Sequence, residues 1–189
     1  ACAVAGAAAS TPAAAGTVTL DFESATAESQ LGAAYGNPNA DAAFTWTGVD
    51  VWKFGATSTL NNTIYSASGN VLIAAVGGQT ISQVAFDYFT YFDSAITSNP
   101  TANTWSLLDG VGNLLFSGTM NATGGPVNSD KPVQSFVKDL TPGLYSTLRL
   151  TFSNDTAMGF DNFSVTAGPV EAVPVPGSLG LLGAGLAAL

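Results

Sequence analysis

The stretch Thr17-Val18-Thr19-Leu20-Asp21-Phe22-Glu23 alternates apolar and polar side chains. Because successive side chains of a β-strand point to opposite faces, Val18, Leu20 and Phe22 share one face, and the threonines and acids share the other. Residues 148–153 alternate in the same way, with leucine and phenylalanine on one face and arginine, threonine and serine on the other. Both stretches therefore predict strands with one face in a core and one face in solvent.

Further segments have strand composition, and no window shows the period of an amphipathic helix. They are residues 44–47, 49–54, 71–76, 81–91, 104–108, 114–119, 133–137 and 160–166. Asp109-Gly110-Val111-Gly112-Asn113 predicts a hairpin loop, since glycine adopts positive φ freely. We therefore expect an all-β domain over residues 16–168, a two-sheet antiparallel β-sandwich or jelly roll. The aromatic side chains expected between the sheets are Phe22, Phe86, Phe89, Trp105, Phe152 and Phe163.

The charge balance excludes several classes of partner. The 189 residues include 13 acidic and 4 basic side chains, for a formal net charge of −9. Four scattered cations cannot form the basic stripe that a phosphate backbone requires, so nucleic acid is excluded and anionic membrane surfaces are disfavoured.

The reactive side chains are equally restricted. The chain has no histidine, and its single cysteine, Cys2, leaves no internal disulfide and no thiolate zinc site. Serines without a histidine partner do not form a nucleophilic triad, and no pattern singles out an acid pair for glycoside hydrolysis. The sequence therefore predicts a protein that is not an enzyme and requires no cofactor.

The two ends of the chain differ from the domain in composition. Residues 1–15 are small and apolar, and two Ala-Ala-Ala runs resemble signal-peptide cleavage sites, which predicts the remnant of a secretory signal. An Ala-rich leader and a lipidated Cys2 are the alternatives. Residues 169–178 form a linker that contains Val173, Pro174, Val175 and Pro176, and residues 179–189 are entirely apolar. An apolar helix of this length is too short to cross a hydrocarbon core of about 30 Å.

The stretch VPVPGSLGLLGAGLAAL resembles a PEP-CTERM sorting tail, in which a V-P-E-P-like motif precedes a short spacer and an apolar helix. Val175 stands where that family usually has glutamate. The resemblance implies an exported protein of a Gram-negative-type bacterium and an exosortase-type membrane enzyme as partner. It also implies transient membrane insertion through the tail, and a final location at the cell surface or in a polysaccharide-rich biofilm matrix.

The opening Leu20-Asp21-Phe22-Glu23 and the closing Gly159-Phe160-Asp161-Asn162-Phe163-Ser164-Val165 resemble the carbohydrate-binding-like β-sandwich modules that often precede such tails. Asp161 shares strand parity with Phe163 and Val165, so its carboxylate is expected to point toward the edge of the core. A buried carboxylate needs a partner or strong hydrogen bonds, because removing it from water alone is costly.

A calcium site is one answer to that requirement. If the first and last strands are neighbours, Glu23 meets Asp161, and two carboxylates with backbone carbonyls suit Ca²⁺. Asp21 or Asn162 completes the ligand set, and the resembling modules often carry a structural calcium. In the alternative, Asp161 caps a turn and Glu23 is solvated.

Aromatic side chains offer a second route to function, because flat rings match the apolar faces of pyranoses. The candidates for a sugar-stacking platform are Trp46, Trp52, Tyr35, Tyr65, Tyr88 and Tyr91, although aromatic residues also favour strands and cores. The leading hypothesis is a non-enzymatic surface or matrix protein associated with exopolysaccharide. The alternative is a carbohydrate-binding module with a defined glycan, and a secreted glycoside hydrolase is a weaker third.

Overall fold

The computed structural model describes residues 14–53, 62–65, 69–92, 103–120, 129–130, 133–153 and 158–170. These ranges contain β-strands, turns and loops but no α-helix, so they hold no helix that is long and apolar enough to span a membrane. The apolar helical segment expected at residues 179–189, the sorting motif and residues 1–13 lie outside them.

The strands, in chain order, are β1 (Gly16–Leu20), β2 (Ser29–Gln30), β3 (Ala42–Thr47), β4 (Asp50–Lys53), β5 (Asn62–Tyr65), β6 (Asn70–Ala75), β7 (Thr80–Phe92), β8 (Asn103–Asp109), β9 (Leu114–Met120), β10 (Ser129–Asp130), β11 (Gln134–Asp139), β12 (Thr147–Ser153) and β13 (Met158–Gly168). Every predicted strand segment overlaps one of them. The short strands β2, β5 and β10 were not predicted, because two to four residues give too little alternation to recognise.

Two antiparallel sheets form a sandwich, which confirms the expected fold class. One sheet has the order β10-β7-β13-β5-β4-β2, with β1 also paired to β13 and β11 to β7; the other has the order β3-β6-β12-β8-β9. Strand β13 is central to the larger sheet, since β7 pairs along one of its edges while β5 and β1 share the other. The first and last strands are therefore neighbours, as the calcium hypothesis required.

Aromatic and aliphatic side chains fill the space between the sheets. Five of the six aromatic residues expected there are buried, namely Phe22, Phe86, Trp105, Phe152 and Phe163. The side chain of the sixth, Phe89, lies outside the described residues. The ring of Phe86 lies near the middle of this core, with its centroid 5.1 Å from that of Trp105 and 5.5 Å from that of Phe160.

Two local features depend on positive φ. The predicted loop between β8 and β9 is confirmed, and its Gly112 has a φ of 97°. The first strand was expected to continue to Glu23 but ends at Leu20, because Phe22 has a φ of 57° and cannot extend the ladder. The Phe22 ring is still fully buried, stacked on Tyr35 with 5.6 Å between centroids.

Candidate functional site

A β-bulge in β13 determines where Asp161 points. Asp161 pairs with Asp87 and Ser164 pairs with Ala85, so two residues of β13 face a single residue of β7. Asn162 accommodates the extra residue with a φ of 48°. The parity argument that placed Asp161 on the same face as Phe163 was therefore wrong, because the bulge breaks the alternation. The expected burial is nevertheless confirmed, since Asp161 is 5% exposed.

The edge of β13 beside Asp161 is where β1 ends and β5 begins, and Glu23 and Asn62 meet there. The Asn62 side-chain amide donates to the backbone oxygen of Glu23 at 3.2 Å and to that of Ala25 at 3.1 Å. The backbone N–H of Asn62 donates to Oε1 of Glu23 at 3.4 Å. Asn62 is 8% exposed, and its Oδ1 is buried without a hydrogen-bond partner among the described residues.

Asp87 and Asn162 form the other side of this polar region. The hydroxyl of Ser135 donates to Oδ1 of Asp87 at 2.5 Å, and Nδ2 of Asn162 donates to Oδ2 at 2.9 Å. The backbone N–H of Asn162 donates to Oδ1 of Asp161 at 2.7 Å. Asp87 is thus satisfied by two donors, and the amide of Asn162 is committed to Asp87.

Burial raises the pKa of Asp161 to about 6, against the opposing effect of the hydrogen bond from the Asn162 N–H. The nearby carboxylates of Glu23, Asp87 and Asp21 contribute to this raised pKa, and no cation among the described residues offsets them. The structure therefore brings Glu23, Asp161 and Asp21 into one acidic region, and the fourth predicted ligand, Asn162, lies there too with its amide bound to Asp87.

The oxygen atoms in this region are of the type that calcium binds. Ca²⁺ takes six to eight oxygen ligands, and the carboxylates of Glu23 and Asp161 with the orphaned Oδ1 of Asn62 are such oxygens. Within the described ranges, however, no group of three or more acidic or thiol side chains has the arrangement of a metal site. An ion here needs backbone carbonyls and water as well, so calcium stays a prediction.

A second feature is an open cleft at the other end of the sandwich, of about 520 Å³. One wall is the β8–β9 loop, which places Val111 in solvent with 87% of its surface exposed. The opposite wall is the turn between β11 and β12, which carries Leu144, 60% exposed, and Tyr145. Ser146 and Thr147 contribute polar groups next to these apolar ones.

The β8–β9 loop is held in place by Asp109. Its Oδ1 accepts from the N–H groups of Val111 at 3.0 Å and Asn113 at 2.8 Å, while Oδ2 accepts from Nδ2 of Asn113 at 2.8 Å. These bonds, that from the Asn113 side chain first, lower the pKa of Asp109. The carboxylate therefore stays ionised and committed to its own loop.

The turn between β11 and β12 is also tied to the sheets. The N–H of Ile81 donates to the carbonyl of Tyr145 at 2.7 Å, and the N–H of Gly143 donates to Oγ1 of Thr80 at 3.1 Å. Both walls of the cleft are therefore fixed before any ligand arrives. Loops ordered in advance lose little conformational entropy on binding.

The proposed stacking platform is not a single surface. Trp46 is buried and donates its Nε1 to the carbonyl of Tyr35 at 2.9 Å, and Tyr35 stacks on Phe22. Tyr88 packs against Phe86 at the core. For these three the alternative of a packing role is correct, whereas the side chains of Trp52, Tyr65 and Tyr91 lie outside the described residues.

Tyr145, Leu144 and Val111, which line the cleft, were not predicted as candidates from the sequence. A leucine and a tyrosine inside the turn-forming segment Thr141-Pro142-Gly143-Leu144-Tyr145 were the available signal, since turns are built mostly from small and polar residues. Nothing in the sequence indicated that this turn faces the β8–β9 loop.

No family model matches the sequence, and no curated protein sequence matches it. The chain does have matches among solved structures. The carbohydrate-binding module CBM35 from Paenibacillus barcinonensis has 16% identity and a TM-score of 0.39, over 65% of this chain and 91% of that one. The K3 adhesin domain of Lys-gingipain from Porphyromonas gingivalis has 10% identity and a TM-score of 0.48, over 80% and 98%.

The chain spans 23% of the MgGH51 α-L-arabinofuranosidase, which it matches over 65% of its own length with 17% identity and a TM-score of 0.37. Carbohydrate-binding modules with a β-sandwich fold are thus among the structural neighbours. At these identities and TM-scores the likenesses carry no argument about function, which has to come from the chain's own surfaces.

Proposed function

We propose that this chain is a non-catalytic, glycan-binding β-sandwich, and that the cleft between the β8–β9 loop and the β11–β12 turn is its binding site. The observation that carries the proposal is the cleft itself, with Val111, Leu144 and Tyr145 beside Ser146 and Thr147. Its volume of about 520 Å³ lies within the range typical of small-ligand sites.

The chemistry of the cleft suits a sugar better than a purely apolar ligand. A pyranose ring presents C–H groups on its faces and hydroxyls around its edge, so it needs both apolar and hydrogen-bonding surfaces. Leu144 and Val111 provide exposed apolar surface, and the hydroxyls of Ser146 and Thr147 are hydrogen-bonding groups in the same cleft.

Export and sorting form the second part of the proposal, supported by the sequence alone. In this account the protein is exported, the tail inserts transiently in the membrane, and an exosortase-type enzyme acts near Pro174–Pro176. The sandwich then works at the cell surface or in an extracellular matrix, bound to polysaccharide. A structural calcium beside Glu23 and Asp161 stabilises the fold in this account; it supplies positive charge and takes no part in glycan contact.

The test is a glycan array followed by affinity electrophoresis of the full chain in gels that contain each polysaccharide retained. Leu144→Ser and Val111→Ser remove exposed apolar surface, so each is expected to weaken retention about three- to tenfold without loss of fold. Val137→Ser is the matched control, because Val137 is 62% exposed on β11, away from the cleft. Equal retention of all variants contradicts the cleft as the site, and release of reducing sugar contradicts the non-catalytic assignment.

A further inference from the structure

The outer face of the five-stranded sheet carries one cation and no acid among its described residues. Along β12 the buried residues Leu148, Leu150 and Phe152 alternate with Thr147, Arg149 and Thr151, which point outward. The same alternation on β3, β6 and β8 leaves only alanine, threonine, serine, asparagine and leucine facing out. In a chain with 13 acidic residues and a net charge of −9, the lack of acidic side chains among the described residues of this face sets it apart.

Arg149 lies at the centre of this face. It pairs with Leu72 on one side and with Leu108 on the other, and Leu72 pairs in turn with Thr45 of β3. Arg149 is exposed, and no described residue forms an ion pair or a hydrogen bond with its guanidinium.

One row of short polar side chains crosses the whole sheet next to Arg149. The cross-strand partners are Thr47, Asn70, Thr151, Ser106 and Ser117, one from each strand. Neighbouring strands lie about 4.8 Å apart, so these groups form a regular line of hydrogen-bonding sites. Such a line suits an extended, hydroxyl-rich polymer that lies flat on the sheet.

The face is continuous with the cleft. Thr147 belongs to the cleft lining and is two residues from Arg149 on the same strand, or roughly 7 Å at about 3.4 Å per residue. The acids nearest to this face in sequence, Asp41 and Asp109, lie at or beyond strand ends, and Asp109 is committed to its own loop. Asp109 itself lines the cleft, but its carboxylate accepts hydrogen bonds from its own loop, and among the described residues of the sheet face Arg149 is the charged group next to the cleft.

We propose that the outer face of the five-stranded sheet, centred on Arg149, binds the carboxylate of a uronic-acid residue in a polysaccharide. This inference rests on the proposed glycan-binding function and names its ligand class. The guanidinium presents two parallel N–H donors that match the geometry of a carboxylate, and the polar row holds the neighbouring sugars. Because the net charge of −9 opposes the approach of any polyanion, the contact depends on the local, bidentate pairing with Arg149 and not on the overall charge.

The test uses two probes with the same sugar backbone, polygalacturonate and its fully methyl-esterified form. Binding of the full chain is measured by affinity electrophoresis at about 0.15 M salt with chelator, since calcium bridges would otherwise join acidic protein to acidic polymer; the Debye length is then about 8 Å. Arg149→Gln is expected to weaken polygalacturonate binding about three- to tenfold and to leave the esterified probe unaffected. Arg149→Lys keeps the positive charge but loses the two parallel N–H donors, so its affinity for polygalacturonate is expected to lie between those of the wild type and Arg149→Gln.

Lys138→Gln is the matched control, because it removes the same charge from β11 of the other sheet, where Lys138 lies 5.0 Å from the centroid of the Phe116 ring. Equal weakening by Arg149→Gln and Lys138→Gln overturns the proposal, as does unchanged or absent polygalacturonate binding. If neutral glycans still bind through the cleft in that case, the proposed function survives alone. If no glycan of any kind binds, the proposed function fails as well.

Discussion

Replacing Asp161 by asparagine isolates the energetic effect of a buried carboxylate. Burial raises the pKa of Asp161 from 3.8 to about 6 in the folded protein. Between these values the folded chain binds a proton that the unfolded chain releases, so the free energy of unfolding falls as the pH rises through this window. Above pH 6 the folded protein carries the full cost of ionisation.

The magnitude follows from the size of the shift. Each pKa unit corresponds to about 1.36 kcal/mol, so a shift of roughly two units costs at most about 3 kcal/mol above the folded-state pKa. Solvent around the partly exposed neighbour Asp87 screens some of this, which gives an expected range of about 1–2 kcal/mol. The new side-chain amide still offers an oxygen to the N–H of Asn162, so the substitution removes the charge and keeps the hydrogen bond.

The assay is urea unfolding followed by tryptophan fluorescence between about pH 4 and pH 8, with chelator present throughout. Asp161→Asn is expected to be more stable than the wild type by about 1–2 kcal/mol at the upper end of this range, with the difference shrinking toward the lower end. Asp50→Asn, at an exposed acid of β4, is the control for the loss of one negative charge. A variant that is less stable at the upper end, or a difference that does not change with pH, refutes the reasoning.

Three further predictions follow from other parts of the chain. Excess Ca²⁺ is expected to raise the calorimetric unfolding midpoint at neutral pH relative to chelator, and Asp161→Asn to abolish the rise; coincident wild-type midpoints contradict the calcium site. Gly118→Ala places a methyl group against the ring of Trp105 and is expected to cost about 1–3 kcal/mol in urea unfolding, whereas Gly32→Ala, with open space around it, is expected to be near neutral. Pro174→Ala with Pro176→Ala is expected to stop processing by an exosortase-type enzyme, measured as the mass of the mature protein; unchanged processing contradicts the sorting motif.

The sandwich was predictable because its longer strands alternate cleanly. Segments such as residues 148–153 have one apolar and one polar face, which is enough to assign strands and to expect two sheets. Strand β5, with the sequence Asn62-Thr63-Ile64-Tyr65, escaped the same analysis because four residues do not establish a period. Its position beside β13 is what brings Asn62 to Glu23.

The sequence predicted which residues meet in the acidic region, but it predicted the wrong face of the strand for Asp161. Adjacent first and last strands were enough to bring Glu23 near Asp161, but the bulge at Asn162 reversed the face that parity assigned to Asp161. A bulge needs only one residue with positive φ, and asparagine adopts that conformation often enough to leave no distinctive signal.

The cleft was not predictable at all. Its two walls, the β8–β9 loop and the β11–β12 turn, are far apart in the chain, and only the closed sandwich brings Val111 and Leu144 into one lining. Similarly, the outward face around Arg149 depends on the order of five strands, β3-β6-β12-β8-β9, which alternation within single strands does not specify.

The most direct test of glycan binding is a calorimetric titration of the full chain with a short oligosaccharide from the polymer that the array retains best. We expect saturable binding at one cleft per chain, weakened by Leu144→Ser and unaffected by Val137→Ser. Absence of saturable binding to every glycan tested, or equal affinity in the two variants, contradicts the assignment of the cleft as a glycan site.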